Sequence, residues 1–369
     1  MAATRRGAGQ GRKNGVTPPA ASQRSEPPAA AAQRVQRSPA MTDVAKLAGV
    51  SHQTVSRVLN DHPSVRPTTR LRVLAAIEQL GYRPNLAARA LVTGRSRTLG
   101  LVTLDTTLFG PVATLYGIER AARETGYFVS VVSLRSIDRL TVQEAVARLA
   151  EQSVEGVIVI APLTSANTAL TDLPTDLPVV VVEGDPTTDL GVVTVDQRSG
   201  ARAATGHLLS LGHRTVFHVA GPMEWLEARE RVAGWRSALE DAGAEVPAPL
   251  AGDWTARSGF DAGETLARIP EATAVFVAND HMALGLLRAM HERDRRVPED
   301  VSVVGFDDIA ESEFFTPPLT TVRQDFDEVG RRSLGLLLEW LDSGSRSVER
   351  VVIPPELVVR QSTAHPAAP

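Results

Sequence analysis

The sequence predicts an α/β body built on parallel sheet behind a small, wholly helical N-terminal head. Three observations carry that expectation. Beyond Thr98, short Val/Leu/Ile runs alternate with longer amphipathic stretches, whereas between Met41 and about Arg95 the apolar spacing is helical. Charge is divided along the same line: residues 1–95 hold 15 Lys and Arg against 4 Asp and Glu, and the remainder holds 24 against 39. A balance of +11 ahead of one of −15 hides inside a net charge of −4, and marks a head suited to nucleic acid on a body that is not. A basic tail on an acidic enzyme is the competing explanation of the charge alone.

At 369 residues and 43% hydrophobic content, the chain suits two or three domains with a sizeable core. No apolar run reaches the roughly 18 to 20 residues of a membrane span. The charged N-terminus is followed by no apolar stretch, so a secretory signal is not expected. Cysteine is absent, which excludes disulfides and thiolate metal sites. A cytoplasmic protein without membrane contact, metal or cofactor is expected. Residues 1–39 are rich in Ala, Pro, Gly, Ser, Gln and Arg and read as a disordered basic tail, unable to bury enough surface to offset their ordering entropy. The expected order is then a helical head over 40–84, a hinge helix and linker over 85–97, the body over 98–360, and a disordered terminus over 361–369.

Within the head, Val44, Ala45 and the pair Leu47/Ala48 space as the inner face of a short helix with Thr42 as its cap. Gly49 allows the positive φ needed to leave that helix, and Val50 plugs the angle to the next. Ser51 caps a second helix whose Val55, Val58 and Leu59 face inward, leaving His52, Gln53, Ser56 and Arg57 outward. Gln pairs bidentately with adenine and Arg with guanine in a major groove. A third helix, about Thr68–Leu80, is expected to add Leu71, Leu74, Ile77 and Leu80 to the core. Pro84 then stops the chain, and Asn85 can cap a short Ala-rich helix over about Leu86–Val92, marginal alone and so a natural switch. On residue type, Leu91 either packs in a linker or wedges between base steps of a minor groove.

In the body, the runs Leu99–Leu104, Phe128–Leu134, Val179–Val182, Val216–Ala220, Ala274–Ala278 and Val301–Gly305 read as strands covered on both faces. One large sheet or two smaller ones satisfy that pattern equally. Ligands of open α/β sheets sit beyond the carboxyl ends of strands. That rule singles out Glu183, Arg229, Arg231, the pair Asn279 and Asp280, and the pair Asp307 and Asp308, with Trp254 in the segment Gly252–Thr255. Carboxylates, Asn and Arg suit sugar hydroxyls, and a Trp face suits the C–H side of the ring. Taken singly, each acid serves equally well as a cap for the following helix.

The segments Asp43–Ala45, Ala48–Ser51, Thr54–Asn60 and Gly81–Asn85 resemble the LacI family of bacterial transcriptional repressors, and the resemblance runs through nearly all of residues 41–360. It implies a two-lobed periplasmic-binding-protein-like body, with doubly wound parallel sheets and three chain crossings, behind an all-α helix-turn-helix head. It also implies a homodimer on double-stranded palindromic operator DNA, with hinge helices that order at the centre of the site and a small sugar effector that closes the cleft. Thr42, Ser51, His52, Gln53, Thr54, Ser56, Arg57, Asn60 and Asn85 would then be DNA-binding positions. Among them His52, Gln53 and Arg57 would read bases, with Leu91 as the wedge. From the matches over Gly252–Phe260, Val277–Gly285, Val303–Asp308 and Pro317–Phe326, Arg231, Asn279 and Asp307 would bind sugar hydroxyls and Trp254 would stack on the ring. Gln324 and Phe326 would line the cleft, and Leu108 and Pro111 would form an apolar wall. Glu183 stands where the matched pattern has Asp, a longer reach; a galactoside is the leading effector. Tetrameric members use a C-terminal leucine-rich helix, which Gln361–Pro369 cannot form, so a dimer is expected.

Two other classes compete. An α/β body can house an enzyme, but with Lys13 and Lys46 as the only lysines there is no phosphate-binding Gly-Lys loop, and neither a Gly-x-Ser-x-Gly elbow nor a His-Glu-x-x-His helix occurs. His207, His213 and His218 lack helical metal-ligand spacing, and neighbours such as Asp307 and Asp308 rarely face one substrate bond. The second alternative keeps the DNA head but takes a purine or phosphorylated metabolite, with a corepressor response among its forms; Trp254 with Arg231 and Asp307 favours a neutral sugar.

Overall fold

The computed structural model describes residues 39–83, 94–104, 107–170, 173, 176–185, 187–346 and 348–367. The expected tail up to residue 38 and the hinge positions Asn85 and Leu91 lie outside the described residues. The chain separates into two units, 1–84 and 85–369.

The first unit holds helices α1 (Met41–Ala48), α2 (His52–Leu59) and α3 (Pro67–Leu80). They close over Val44, Val55 and Val73, all fully buried, ringed by Ala45, Ala48, Val58, Ala76 and Tyr82. Fully burying one such valine is worth roughly 1.5 to 3 kcal/mol. Gly49 leaves α1 at φ 62°, and Ser51 caps α2 by accepting the Thr54 N–H at 3.2 Å. Two expectations are corrected here. Thr42 does not cap α1: the helix begins at Met41, and Asp43 reaches back to accept the Ala40 N–H at 2.8 Å. A carboxylate in the first turn also suits the helix dipole, which a hydroxyl does not exploit. Leu71 and Leu74 are 68% and 48% exposed, and Leu47 is 44% exposed. The buried stripe of α3 runs through Val73, Ala76, Ile77 and Leu80 instead, packed with Ala45 and Ala48 of α1.

From Thr98 the second unit runs β1 (Thr98–Leu104), α4 (Phe109–Glu124), β2 (Phe128–Leu134), α5 (Arg139–Glu151), β3 (Val157–Ile160), α6 (Ala166–Leu170), β4 (Val179–Val182) and β5 (Gly191–Val195). It continues with α7 (Gln197–Ser210), β6 (Phe217–Ala220), α8 (Leu226–Asp241), β7 (Leu250–Ala251), α9 (Ala256–Leu266), β8 (Ala274–Val277), α10 (Asp280–Glu292) and β9 (Ser302–Val304). Last come β10 (Thr321–Arg323), α11 (Phe326–Ser343), β11 (Arg350–Ile353) and β12 (Glu356–Val358).

These strands form two parallel sheets, the choice that periodicity left open. The first lobe has the order β11-β5-β4-β3-β1-β2 and the second β7-β6-β8-β9, with β10 and β12 as a separate antiparallel pair. Alternate residues of one strand feed opposite cores: Ile158 and Ile160 join Leu99 and Leu101 on one face, while Val157 and Val159 join Val102 on the other. Burial on both faces is why the strands read as unbroken apolar runs. The chain passes between lobes from β5 into α7, from β10 into α11, and from β11 into β12. In the first lobe α4 and α11 meet at Gly117 and Gly330, where a Cβ on either would overlap the backbone of the facing helix. That close approach holds the starts of α4 and α11, which carry Phe109 and Phe326, side by side.

Gln361–Ala367, expected to be disordered, are laced to the second lobe. Ser362 is fully buried; its Oγ donates to the Val303 carbonyl at 2.6 Å and accepts the Thr320 N–H at 2.8 Å. The Val303 N–H in turn donates to the Ser362 carbonyl at 2.8 Å, and the Ala364 N–H to Ser302 Oγ at 3.0 Å. A segment without large apolar side chains is ordered here by covering β9 with backbone hydrogen bonds.

Candidate functional site

On the first unit, α2 turns His52, Gln53, Arg57 and Asn60 into solvent, with Thr54 and Ser56 half-buried between them and Ser51 exposed at the cap. Several of these polar groups are already tied. The Ser51 and Thr54 hydroxyls share a 2.9 Å hydrogen bond, and Asn60 Nδ2 donates to Ser56 Oγ at 3.5 Å. No hydrogen bond is found for the side chains of Gln53 and Arg57 within the described residues, so the two groups best suited to base edges stand ready. Thr42 is exposed on α1.

In the second unit a cleft of about 520 Å³, open mouth included, lies between the lobes where the chain crosses, within the roughly 300 to 1,000 Å³ usual for ligand pockets. Leu108, Pro111, Glu183, Arg231, Trp254, Asn279, Asp307, Gln324 and Phe326 all line it. Strand ends bring them there. Three adopt backbone conformations that side chains usually avoid: Glu183 at φ 53°, Trp254 at 72° and Asp307 at 112°. Such conformations cost of order 1 to 3 kcal/mol each and collect at functional sites.

A closed circuit joins two of the three crossings at the centre of the cleft. Arg231 Nε donates to Gln197 Oε1 at 2.9 Å, Gln197 Nε2 to Gln324 Oε1 at 2.8 Å, and Gln324 Nε2 to Asp307 Oδ1 at 2.7 Å. Arg231 Nη2 returns to Asp307 Oδ1 as an ion pair at 3.5 Å. Gln197 begins α7 and Gln324 follows β10, so one polar ring spans two of the three passages between lobes. Arg231 also lies 3.8 Å over the Phe306 ring and donates to the Ala278 carbonyl. Glu183 accepts from Thr194 Oγ1 at 2.9 Å and from the Val195 N–H at 3.2 Å. Asn279 is doubly engaged, accepting the Met282 N–H as the cap of α10 and donating to the Trp254 carbonyl at 3.1 Å. It therefore positions Trp254 as well as lining the cleft. Phe326 meets Phe109 edge-on at 5.8 Å and Trp254 meets Trp225 edge-on at 5.9 Å, giving the cleft two aromatic walls.

Burial makes every cleft carboxyl a weaker acid than usual. Asp307 is pushed up to about 6, against the pull of Arg231 and Gln324. Glu183 rises to about 7 despite Thr194 and Val195. Glu227, buried and facing the charge of Glu183, rises to about 8. Arg231 is lowered by its own burial and held up by these three carboxylates, Asp307 first.

Other strand-end residues are used elsewhere. Asp280 is sealed under Thr321 Oγ1 and the Ile309 N–H. Asp308 turns away from Asp307 to bind Arg323 and Arg360, each at 2.6 Å. Arg229 donates to the Met223 carbonyl at 2.6 Å. Of the histidines, His207 meets Thr363, His213 meets Thr273 and Ser302, and His218 stacks on Trp235 and Phe276. Sequence reasoning missed Gln197, Glu227, Trp225 and Phe109, which also line the cleft. Gln197 falls just after β5, where the strand-end rule that found Glu183 also applies. Glu227 is four residues before Arg231 on α8, hence on the same face.

Comparison with known proteins decides the family. The description "Bacterial regulatory proteins, lacI family" matches residues 40–85, and "Periplasmic binding protein-like domain" matches 205–363. The lactose operon repressor of Escherichia coli K12 is 36% identical over 328 residues, 88% of this chain and 90% of its own. This chain belongs to the lacI family. As a lacI-family protein it is a DNA-binding transcriptional regulator. The regulator CelR of Thermobifida fusca is 37% identical over 341 residues, 89% of this chain and 99% of its own. The repressor PurR of Haemophilus influenzae is 33% identical over 329 residues, 87% and 97%. Among solved structures, the lac repressor dimer bound to operator and the anti-inducer ONPF matches with TM-score 0.77 at 34% identity, covering 88% of this chain and 99% of that one. The CelR–cellobiose complex matches with TM-score 0.65 at 34% identity and the same coverage.

For the lacI-family head, Arg57→Ala is expected to weaken binding to the preferred operator by about 1 to 3 kcal/mol while relaxing discrimination at one base pair, with little change on random DNA. Binding titrations on operator variants at fixed salt check this. An equal loss on every sequence would assign Arg57 to phosphate instead.

Proposed function

We propose that this regulator is a homodimeric repressor of carbohydrate-utilisation genes in the cytoplasm. In this reading it holds a palindromic operator through paired heads and releases it when a neutral sugar, a galactoside first among candidates, fills the body cleft. The observation that carries this is the Arg231–Gln197–Gln324–Asp307 circuit. A sugar hydroxyl that competes for Asp307 or Arg231 must rearrange groups rooted in both crossings, so occupancy favours one lobe arrangement over the other. In a dimer that arrangement sets the separation of the heads. The donor and acceptor mix, with two aromatic walls, supports a polyhydroxyl ligand, and the CelR relative was solved with cellobiose. His52, Gln53 and Arg57 would read bases, Asn85 and Leu91 would serve the hinge, and the nine cleft residues would hold the effector.

Trp225 and Trp254 in the cleft give a direct readout. Galactosides, glucosides and purines should be titrated against tryptophan fluorescence and, in parallel, against operator retention. A galactoside or related sugar is expected to shift the fluorescence and weaken operator binding by about 5- to 150-fold, the usual size of such coupling. Silence with every sugar would overturn the reading, and tighter operator binding with a purine would replace it by a corepressor response.

A further inference from the structure

Glu227 sits in the first turn of α8 and lines the cleft. Its Oε2 is sealed from solvent with no hydrogen-bond partner, and the same holds for Trp254 Nε1. One acceptor and one donor on two cleft residues are thus both left without a partner. Buried polar atoms are rarely orphaned, and in a binding cleft a ligand can supply the missing partner.

We propose that Glu227 and the Trp254 indole N–H form a hydroxyl-reading pair that sets effector specificity. A sugar hydroxyl pairs with Glu227 Oε2, donating to it as carboxylate or accepting from it as carboxylic acid, and a hydroxyl oxygen of the same ring accepts from Trp254 Nε1–H. A hydroxyl is donor and acceptor at once, so it meets both needs. An ammonium ligand would satisfy the carboxylate alone and bring a second cation into the cleft of Arg231. A phosphate or carboxylate ligand would satisfy the indole alone and face Glu183, Glu227 and Asp307. The effector class is therefore a neutral sugar with a free hydroxyl at the Trp225/Trp254 end. This rests on the cleft being a sugar site.

The test uses the full chain, with methyl β-galactoside and cellobiose as first probes and monodeoxy derivatives of whichever binds. Loss of the hydroxyl that meets Glu227 is expected to cost wild type about 10- to 100-fold in affinity. Glu227→Leu should lose a similar factor for the parent sugar and then no longer distinguish parent from that deoxy derivative. Such coupling is what a merely structural role would not produce. Glu227→Met, similar in length and without an oxygen acceptor, provides the same comparison should the leucine variant fail to fold. Wild-type affinity in the variants, or an unaltered penalty at every deoxy position, overturns the assignment. An amino sugar that binds more tightly than its parent overturns the hydroxyl class. If no sugar binds wild type, the sugar reading itself falls and takes the proposal with it, so the two failures are told apart.

Discussion

An Asp307→Ala variant is expected to stay on operator DNA at sugar concentrations that release the wild type. Asp307 is the only member of the Arg231–Gln197–Gln324–Asp307 circuit that is acceptor alone when ionised; it ends the donor chain from Gln324 and faces Arg231 at 3.5 Å. Removing it takes a charged acceptor from the sugar, costing roughly 1.5 to 3 kcal/mol of affinity. It also opens the circuit, so whatever sugar still binds no longer pulls on both crossings together. The head lies in a separate unit and keeps its own core, so operator binding without sugar should persist. Operator titrations with and without sugar check both halves. Asp307→Asn, which keeps an oxygen for Gln324 Nε2, separates loss of charge from loss of fold: it should remain folded and respond weakly. Full induction of Asp307→Ala would remove Asp307 from the effector site.

Arg231→Leu is expected to be the most damaging cleft substitution for stability, and its cost should grow with pH. Arg231 is buried, and its attraction lowers the pKa values of Glu183, Glu227 and Asp307 against the upward push of burial. Stripping one partner from a buried charge cluster costs roughly 3 to 5 kcal/mol. Each of these carboxyls has a folded value raised above its unfolded one, to about 6, 7 and 8. Burying them is therefore harmless below their ordinary range near pH 4, and its cost grows from there up to those folded values and then levels off. Without Arg231 the folded values rise further and the penalty deepens. Thermal melts should show a modest gap between variant and wild type at pH 5 and a wide one at pH 8. An equal gap at both would mean that the cation is not what holds these carboxyls.

Some of the site was legible because backbone and composition rules act locally. Gly49 and Ser51 could be placed from the turn and cap they provide, and Glu183, Arg231 and Asp307 from the rule that strand ends face ligands. Other assignments failed where a tertiary neighbour outvoted the local pattern. Leu71 and Leu74 have core-like chemistry, yet α3 packs Val73 and Ala76 against α1 and α2 and leaves both leucines exposed. Thr42 is a good cap by type, but Asp43 reached the free N–H first. Ser362 reads as part of a polar, Pro-rich end until β9 offers it a place to bond. Helix α9 carries Gly259 and Gly263, which read locally as loop signals, and strands β10 and β12, of three residues each, are too short to show a period.

By itself, then, the sequence determined a helical DNA-reading head, an α/β body and the chemistry of most cleft residues, since charge, period and motif are properties of neighbours along the chain. Only the tertiary structure decided that the body has two sheets, that Gln197 and Gln324 join its crossings through one circuit, and that Glu227 and Trp254 keep polar atoms unpartnered. Those facts depend on groups 17 to 127 residues apart meeting in a largely buried space, where a missing hydrogen bond is costly.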